Sequence, residues 1–186
     1  MTEPTHLLSV HTLDKRGIVA GISGALEAAG ARLLELSQTV VRDYFTIVVI
    51  VALPEDCDEQ ALIAAVRAEL APGAAVNLLP YRAGRPVLTD GERYVLTAVG
   101  PDRPGVVPVL SALIAERGGN FTDLDGRVVG DRIRLVAELV LPRSTALDQL
   151  LIDLEHAGAE IGLQMRLQHS RLFQATNELP FRRLAP

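Results

Sequence analysis

Residues 102–107 read Asp-Arg-Pro-Gly-Val-Val, and residues 14–19 read Asp-Lys-Arg-Gly-Ile-Val. An apolar run of β type precedes each stretch, and an apolar pattern with helical spacing follows it. Each stretch is therefore predicted to be the turn between a strand and a helix. Because this local unit occurs twice, 88 positions apart, it sets the organisation of the whole chain.

The similarity between the two halves extends well beyond the turn. The segments 6–54 and 94–142 align without a gap and share 13 identities over 49 positions. The identities include glycines, aspartates and prolines as well as apolar residues: Asp14/Asp102, Gly17/Gly105, Ser23/Ser111, Gly30/Gly118, Leu36/Leu124, Asp43/Asp131 and Pro54/Pro142. Richness in Val and Leu alone would not align such residues. The chain of 186 residues is therefore predicted to be an internal duplication of a small domain.

Each half is predicted to contain, in order, a strand, a helix, two strands, a helix and a strand. This order predicts an α+β fold of two tandem ferredoxin-like βαββαβ domains, each with its helices on one face of an antiparallel sheet. Glycines 30 and 118 are expected in the left-handed conformation that ends a helix. The predicted boundaries are 1–83 for the first domain, 84–91 for a linker, 92–169 for the second domain and 170–186 for a C-terminal tail.

The composition limits the classes of protein to which the chain can belong. A formal net charge of −5 with dispersed arginines disfavours direct binding to a nucleic-acid backbone. No stretch approaches the roughly 18 apolar residues of a membrane span, and the first residues lack a leader pattern. A single cysteine, Cys57, precludes an internal disulfide and fits a reducing compartment. We therefore expect a cytoplasmic protein that contacts neither membranes nor nucleic acid directly.

The third strands of the two halves differ in a way that bears on assembly. Residues 131–141 keep one face largely polar, whereas residues 45–53 are apolar at nearly every position. Val48 and Ile50 are therefore predicted to lie in an apolar strip on the free face of the first sheet. Such a strip needs a cover, and we expect a homodimer that packs this face against its equivalent. The other domain and the amphipathic tail, which contains Phe173, Leu179, Phe181, Arg182 and Arg183, are the alternative covers.

The doubled pattern, with its Asp-x-x-Gly turn, the glycine after the first helix and the polar residue that opens the second strand, resembles the ACT domain over residues 6–169. Tandem copies without an attached enzyme are similar to the glycine-cleavage-system transcriptional repressor group and related amino-acid sensors. The resemblance implies that a small molecule, typically an amino acid, binds near the turn at a domain interface. The matching positions are Asp14, Gly17 and Ile18 in the first copy, and Asp102, Gly105, Val106 and Asn120 in the second.

Two interpretations of the turn remain open at the level of sequence. A helix N-terminus presents unpaired N–H groups that can receive a carboxylate, and a nearby Asp can pair with an ammonium group. Alternatively, Asp14 and Asp102 merely cap the helices and the following glycines relieve crowding, which requires no ligand. The second copy is predicted to hold the better ligand site, because the first has Arg32 at the position of Asn120.

The sequence contains no convincing catalytic constellation. Residues 123–126, Asp-Leu-Asp-Gly, resemble the nucleophile motif of haloacid-dehalogenase-type phosphatases and, loosely, a calcium loop, but no buried apolar strand precedes them and the glycine is misplaced. A solvated strand edge is the favoured interpretation. The four histidines lack metal-ligand spacing, and Ser23 and Ser111 lack a nucleophile elbow. We therefore expect a protein that is not an enzyme and holds no metal or cofactor.

Three functions are compatible with these features. The leading hypothesis is a regulatory protein that binds an amino acid or similar small ligand and signals to a protein partner, with transcriptional control of glycine metabolism as one setting. The second is a scaffold whose ACT-like halves bind no ligand. The third is a detached regulatory subunit that acts in trans on a metabolic enzyme.

Overall fold

The structure, a computed structural model, describes residues 4–84 and 91–176, which form two compact units. Each unit contains a four-stranded antiparallel sheet with two helices on one face, so the predicted α+β fold with two βαββαβ repeats is confirmed. Most of the predicted linker, residues 85–90, lies outside the described residues. So do four residues named for the tail, namely Leu179, Phe181, Arg182 and Arg183.

The first unit buries alternate side chains of its sheet beneath two helices. Its elements are β1 (Thr5–Leu13), α1 (Ile18–Ala28), β2 (Arg32–Val41), β3 (Tyr44–Ala52), α2 (Glu59–Ala68) and β4 (Ala75–Pro80), and the sheet order is β2-β3-β1-β4. The core joins sheet residues such as Val10 and Ile47 to Ile22 of α1 and Val66 of α2. The carboxylate of Asp58 caps α2 by accepting two backbone N–H groups at 3.0 Å.

The second unit repeats this arrangement and adds a short helix. Its elements are β5 (Gly91–Pro101), α3 (Val106–Ala115), β6 (Asn120–Val129), β7 (Arg132–Pro142), α4 (Leu147–Ile161), β8 (Gln164–His169) and α5 (Ser170–Thr176), and the sheet order is β6-β7-β5-β8. Its core joins Leu96 and Leu139 of the sheet to Leu110 of α3 and Leu154 of α4.

The two units share their irregularities as well as their topology. The second strand of each repeat has a register shift against the third, at Leu33/Glu35 in one and at Phe121/Asp123 in the other. Gly30 and Gly118 both have a φ of 68° after the first helix, as predicted. Equal bulges and equal helix ends at equivalent positions support the duplication independently of residue identity.

The end of α4 differs from the sequence prediction. The apolar spacing of the sequence predicts a helix over about 145–157 and a strand over 161–168, but α4 continues to Ile161 and β8 begins at Gln164. Gly162, with a φ of 74°, ends the helix. Gly158 lies within the helix, where an added Cβ would be 2.6 Å from the carbonyl oxygen of Leu163, so the close approach of the returning chain requires glycine there.

The apolar strip expected on the free face of the first sheet is less exposed than predicted. Val48 and Ile50 are half-buried and Ala52 is buried, which leaves Tyr44, 59% exposed, at the end of the strip. The exposed apolar residues of this unit instead include several on β2, namely Leu33, Leu34, Leu36, Val40 and Val41. An edge strand with both sides exposed is therefore the more accessible apolar surface.

Part of the predicted tail packs on the free face of the second sheet. The short helix α5 contacts β5 and β8, and Phe173 is buried. Val95 and Val140, which point away from the main core, are also buried, at 3% and 8% exposure. Among the described residues, no helix is long and apolar enough to cross a membrane.

Candidate functional site

The repeated turn is anchored to the neighbouring hairpin by a main-chain hydrogen bond. The N–H of Asp14 donates to the carbonyl oxygen of Asp43 at 2.8 Å, and the N–H of Asp102 donates to that of Asp131 at 2.7 Å. The turn therefore lies at the end of the sheet where the second and third strands meet. Asp14 and Asp102 use only their backbone in this bond. Both residues are exposed, so their carboxylates are open to solvent.

The structure rejects the interpretation that these aspartates cap the helices. The cap positions are Gly17 and Gly105, and no side chain accepts a hydrogen bond at either helix start. The two glycines have φ values of 87° and 95°, in the left-handed region that L side chains rarely adopt. Relief of crowding is not their role, because a Cβ added at either position would meet no atom within 4 Å.

The first turns of α1 and α3 keep backbone donors for an anion. The first helical hydrogen bonds run from Gly21 to the Gly17 carbonyl at 2.9 Å and from Val109 to the Gly105 carbonyl at 3.0 Å, so the preceding N–H groups have no partner within the helix. Ile18 and Val106, predicted ligand positions, are each only 2% exposed. Their side chains belong to the cores, and only their N–H groups are available at the turn.

Asn120 lies far from the turn of its own unit. It begins β6, opposite Val140, whereas the turn lies beside Val129 and Arg132 at the other end of the strand. The 10 residues of β6 place the two ends roughly 30 Å apart. Asn120 and Asp102 of the same unit therefore cannot contribute to one site. Arg32 has the equivalent position at the start of β2.

The remaining motifs occupy ordinary structural positions. Asp123 and Asp125 are exposed on the edge strand β6, as expected for a solvated strand edge. Ser23 and Ser111 lie within helices. Within residues 4–84 and 91–176, no cluster of His, Cys, Asp or Glu has the arrangement of a metal site. Burial raises the pKa of the Cys57 thiol, and the carboxylates of Glu59, Asp58 and Asp56 raise it further. This shift is opposite to that of an activated nucleophile.

Sequence reasoning missed a polar groove at the opposite end of the second sheet. Arg93 of β5, Arg143 after β7 and Arg171 of α5 line it together with Glu92 and His169. These residues come from three separated parts of the sequence, so neither spacing nor composition could have grouped them. Only the pairing of β5 with β7 and β8 brings them together.

Comparison with known proteins adds a family match to this geometry. The family profile described as ACT domain matches residues 5–72 and 92–168. A UPF0237 protein of Methanopyrus kandleri is 31% identical over 88 residues, which cover 47% of the present chain and 98% of that relative. This relative therefore corresponds in length to one of the two copies.

Two solved structures resemble the present chain over most of its length. A protein from Galdieria sulphuraria, described as unknown, has a TM-score of 0.69 and 24% identity, with coverage of 89% of the present chain and 98% of that protein. A protein provisionally described as a glycine cleavage system transcriptional repressor has a TM-score of 0.61 and 11% identity, with coverage of 89% and 96%. At these identities the likeness establishes a common fold.

Proposed function

Because the chain belongs to the ACT-domain family, we propose that it is a non-enzymatic regulatory protein that binds an amino acid or similar small ligand and signals to a protein partner. The observation that carries the proposal is the duplicated turn. At both turns an exposed Asp carboxylate, Asp14 or Asp102, accompanies a helix start without a side-chain cap. A capping side chain would stabilise each helix by about 1 kcal/mol. That neither α1 nor α3 has such a cap favours a functional use for the free N–H donors.

The chemistry of the turn suits a zwitterionic ligand. The N–H groups at the start of α3 can donate to a carboxylate, which the helix dipole also attracts. The exposed carboxylate of Asp102 can accept a hydrogen bond from an ammonium group. Both groups are present in every free α-amino acid. The turn at Asp14 and α1 offers the same kinds of donor and acceptor. The two turns differ at Pro108, which removes one N–H from the first turn of α3.

A complete site requires a second ACT unit. Asn120 lies at the opposite end of the sheet from the Asp102 turn, but antiparallel pairing of edge strands would bring the start of one strand to the end of another. We propose that Asn120 of a second copy of the chain completes the ligand site at the Asp102 turn in this way. Ligand binding would then stabilise the interface, which couples ligand concentration to assembly and to recognition by a partner.

We propose that the signal passes to a protein and not directly to DNA. The net charge of −5 opposes the field of a phosphate backbone. In the described ranges each helix is followed or preceded by a strand, so no two consecutive helices form a helix-turn-helix. Glycine is the first ligand to test, because the fold is shared with the provisional glycine cleavage system repressor. Control of glycine metabolism would then act through a separate DNA-binding partner.

A thermal-shift screen of the free amino acids against the full chain tests this proposal. A specific ligand at 100 times its dissociation constant should add about 2.7 kcal/mol to the free energy of unfolding. Asp102→Ala should weaken the ligand about tenfold or more, because a charge-assisted hydrogen bond is lost. It should leave the melting temperature without ligand nearly unchanged, because Asp102 caps no helix.

Glu155→Ala, which removes an exposed carboxylate from α4 of the same unit, is the matched control and should bind like wild type. Unchanged affinity in Asp14→Ala and Asp102→Ala, alone and together, would place the ligand elsewhere. The absence of a shift with every amino acid would favour the ligand-free scaffold.

A further inference from the structure

The groove at the end of the second sheet, hereafter the basic groove, is a concentration of positive charge in an acidic protein. It has a volume of about 370 Å³, and its charged and polar lining residues are Glu92, Arg93, Arg143, His169, Ser170 and Arg171. Three guanidinium groups and one carboxylate give it a positive balance, whereas the chain carries a net charge of −5. The volume lies within the range of small-molecule sites.

The single carboxylate of the basic groove is already occupied. Oε2 of Glu92 accepts a hydrogen bond from the hydroxyl of Tyr94 at 3.0 Å, and Oε1 lies 3.5 Å from Nη1 of Arg143. Both oxygens therefore have a donor, and the negative charge of Glu92 is offset by Arg143. Tyr94 is buried, so its hydrogen bond anchors the carboxylate of Glu92 to the core.

The histidine in the basic groove also has its acceptor engaged. Nδ1 of His169 accepts the backbone N–H of Arg171 at 3.3 Å, which places the proton of the neutral ring on Nε2. The ring packs edge-on against Tyr94, with the centroids 5.4 Å apart and the planes at 78°. These contacts fix the backbone at Arg171 relative to the sheet and leave a further N–H donor on the histidine.

Two of the arginines have no charged partner. Among residues 4–84 and 91–176, Arg93 and Arg171 form no ion pair, and both are exposed. Guanidinium groups donate and cannot accept, and their fork matches the oxygens of phosphate and carboxylate groups. Because the charge of Glu92 is offset by Arg143, the charge left on the lining of the basic groove is that of the guanidinium groups of Arg93 and Arg171.

From this excess of positive charge we infer that the basic groove is a second ligand site, which takes a multiply charged oxyanion such as the phosphate groups of a phosphorylated metabolite. It lies at the start of β5, about 30 Å from the turn at Asp102, so it is separate from the amino-acid site proposed for that unit. An adjoining cavity of about 140 Å³ shares Arg93 and Ser170 and includes Glu138. The carboxylate of Glu138 would repel an oxyanion there and confine it to the basic groove.

Isothermal titration of the full-length protein with pyrophosphate tests the inference, and titration with succinate distinguishes phosphate from dicarboxylate recognition. We expect binding of pyrophosphate with one site per chain and an affinity that falls as salt is raised. The double variant Arg93→Ala/Arg171→Ala should lose at least tenfold in affinity. The control Arg132→Ala/Arg134→Ala removes the same charge from exposed positions of β7 and should stay within about twofold of wild type.

Asp102→Ala should not change the affinity for pyrophosphate. A wrong assignment of the oxyanion site can therefore be distinguished from a wrong assignment of the amino-acid site. Tighter binding of succinate than of pyrophosphate would overturn the assignment to phosphate. No binding of either anion at millimolar concentration, or equal losses in the two double variants, would overturn the site itself. Circular dichroism of each variant would confirm that these exposed substitutions leave the fold intact.

Discussion

The backbone N–H of Asp102 donates to the carbonyl oxygen of Asp131 at 2.7 Å, and Asp14 and Asp43 form the equivalent bond in the first unit at 2.8 Å. This bond joins the start of the helix-forming turn to the corner of the next hairpin. Because only the main chain takes part, the bond does not require aspartate at position 14 or 102. The recurrence of aspartate in both copies therefore calls for another explanation, and a free carboxylate beside an uncapped helix is the one that the ligand site provides.

The conformation of Gly17 gives a first prediction. Its φ of 87° is costly for any residue with a Cβ, although the space around it is open. Gly17→Ala should therefore lower the free energy of unfolding by about 1–2 kcal/mol. The same reasoning means that a bulky substitution at Gly105 cannot be used to block ligand binding without strain in the fold. Urea denaturation of the variant measures the effect.

Gly24, in the same helix, is the matched control. An added Cβ would again meet nothing within 4 Å, but Gly24 lies inside α1 with ordinary helical geometry. Gly24→Ala should stabilise the protein by up to about 1 kcal/mol, because alanine has the higher helix propensity. Equal effects of the two substitutions would show that backbone conformation does not decide the choice of glycine at the turn.

The corner between β2 and β3 gives a second prediction. Arg42 has a φ of 55°, whereas the equivalent Gly130 in the second unit has 63°. Arg42→Gly should relieve roughly 1–2 kcal/mol of strain, partly offset by the greater freedom of glycine in the unfolded chain, for a net gain of about 0.5 kcal/mol. Gly130→Ala should cost about 1–2 kcal/mol. Destabilisation by Arg42→Gly would mean that the arginine side chain has a stabilising contact worth more than the strain.

Cys57 gives a third prediction, on reactivity. Since burial and three nearby carboxylates raise the pKa of its thiol, a smaller fraction is thiolate at any given pH than in an unfolded chain. The rate of alkylation should therefore rise with pH through a higher midpoint than that of a peptide with residues 53–61. Asp56→Asn removes one of the negative charges and should move the midpoint to lower pH. A midpoint at or below that of the peptide would contradict the prediction.

The fold could be derived from sequence because its signals were local and occurred twice. The helix-ending Gly30 and Gly118, the apolar spacing of Leu62 and Val66 and the cap at Asp58 each depend on residues close in sequence. Because the chain is duplicated, each element predicted in one copy was supported by the equivalent pattern in the other. The exception, the end of α4, arose where Gly158 is required by a contact with the returning chain and not by a helix end.

The functional features depended on relationships that sequence patterns do not contain. An Asp shortly before a helix can either cap the helix or keep a free carboxylate. The structure separates the two, because Gly105 holds the cap position of α3 and no side chain accepts a hydrogen bond there. The distance between Asn120 and the turn follows from the parallel course of β5 and β6 on either side of β7. The basic groove depends on cross-strand neighbours such as Tyr94 and His169, which are far apart in the chain.

The last prediction concerns the homodimer, for which the structure offers a surface other than the sheet face expected from sequence. All 10 residues of β2 are exposed, and Leu33, Leu36 and Val40 are 44–47% exposed on the side of the sheet that bears the helices. A long edge strand with apolar side chains invites pairing with another strand. Val48 and Ile50, in contrast, are already half-buried. We therefore expect β2 to pair with an edge strand of a second copy.

Light scattering of variants separates the two surfaces. Leu36→Lys with Val40→Lys should convert the dimer to a 20.0 kDa monomer, because paired edges would bring the added charges together in an interface. Arg134→Glu, on an exposed position of β7, should leave the dimer intact. If Val48→Glu with Ile50→Lys yields monomers or insoluble protein while the β2 variant stays dimeric, the sheet face is the interface. A wild-type protein that scatters only as a 20.0 kDa species at micromolar concentration would exclude both interfaces. The polar residues Ser37, Gln38 and Thr39 at the centre of β2 would then be the feature that prevents pairing of this edge.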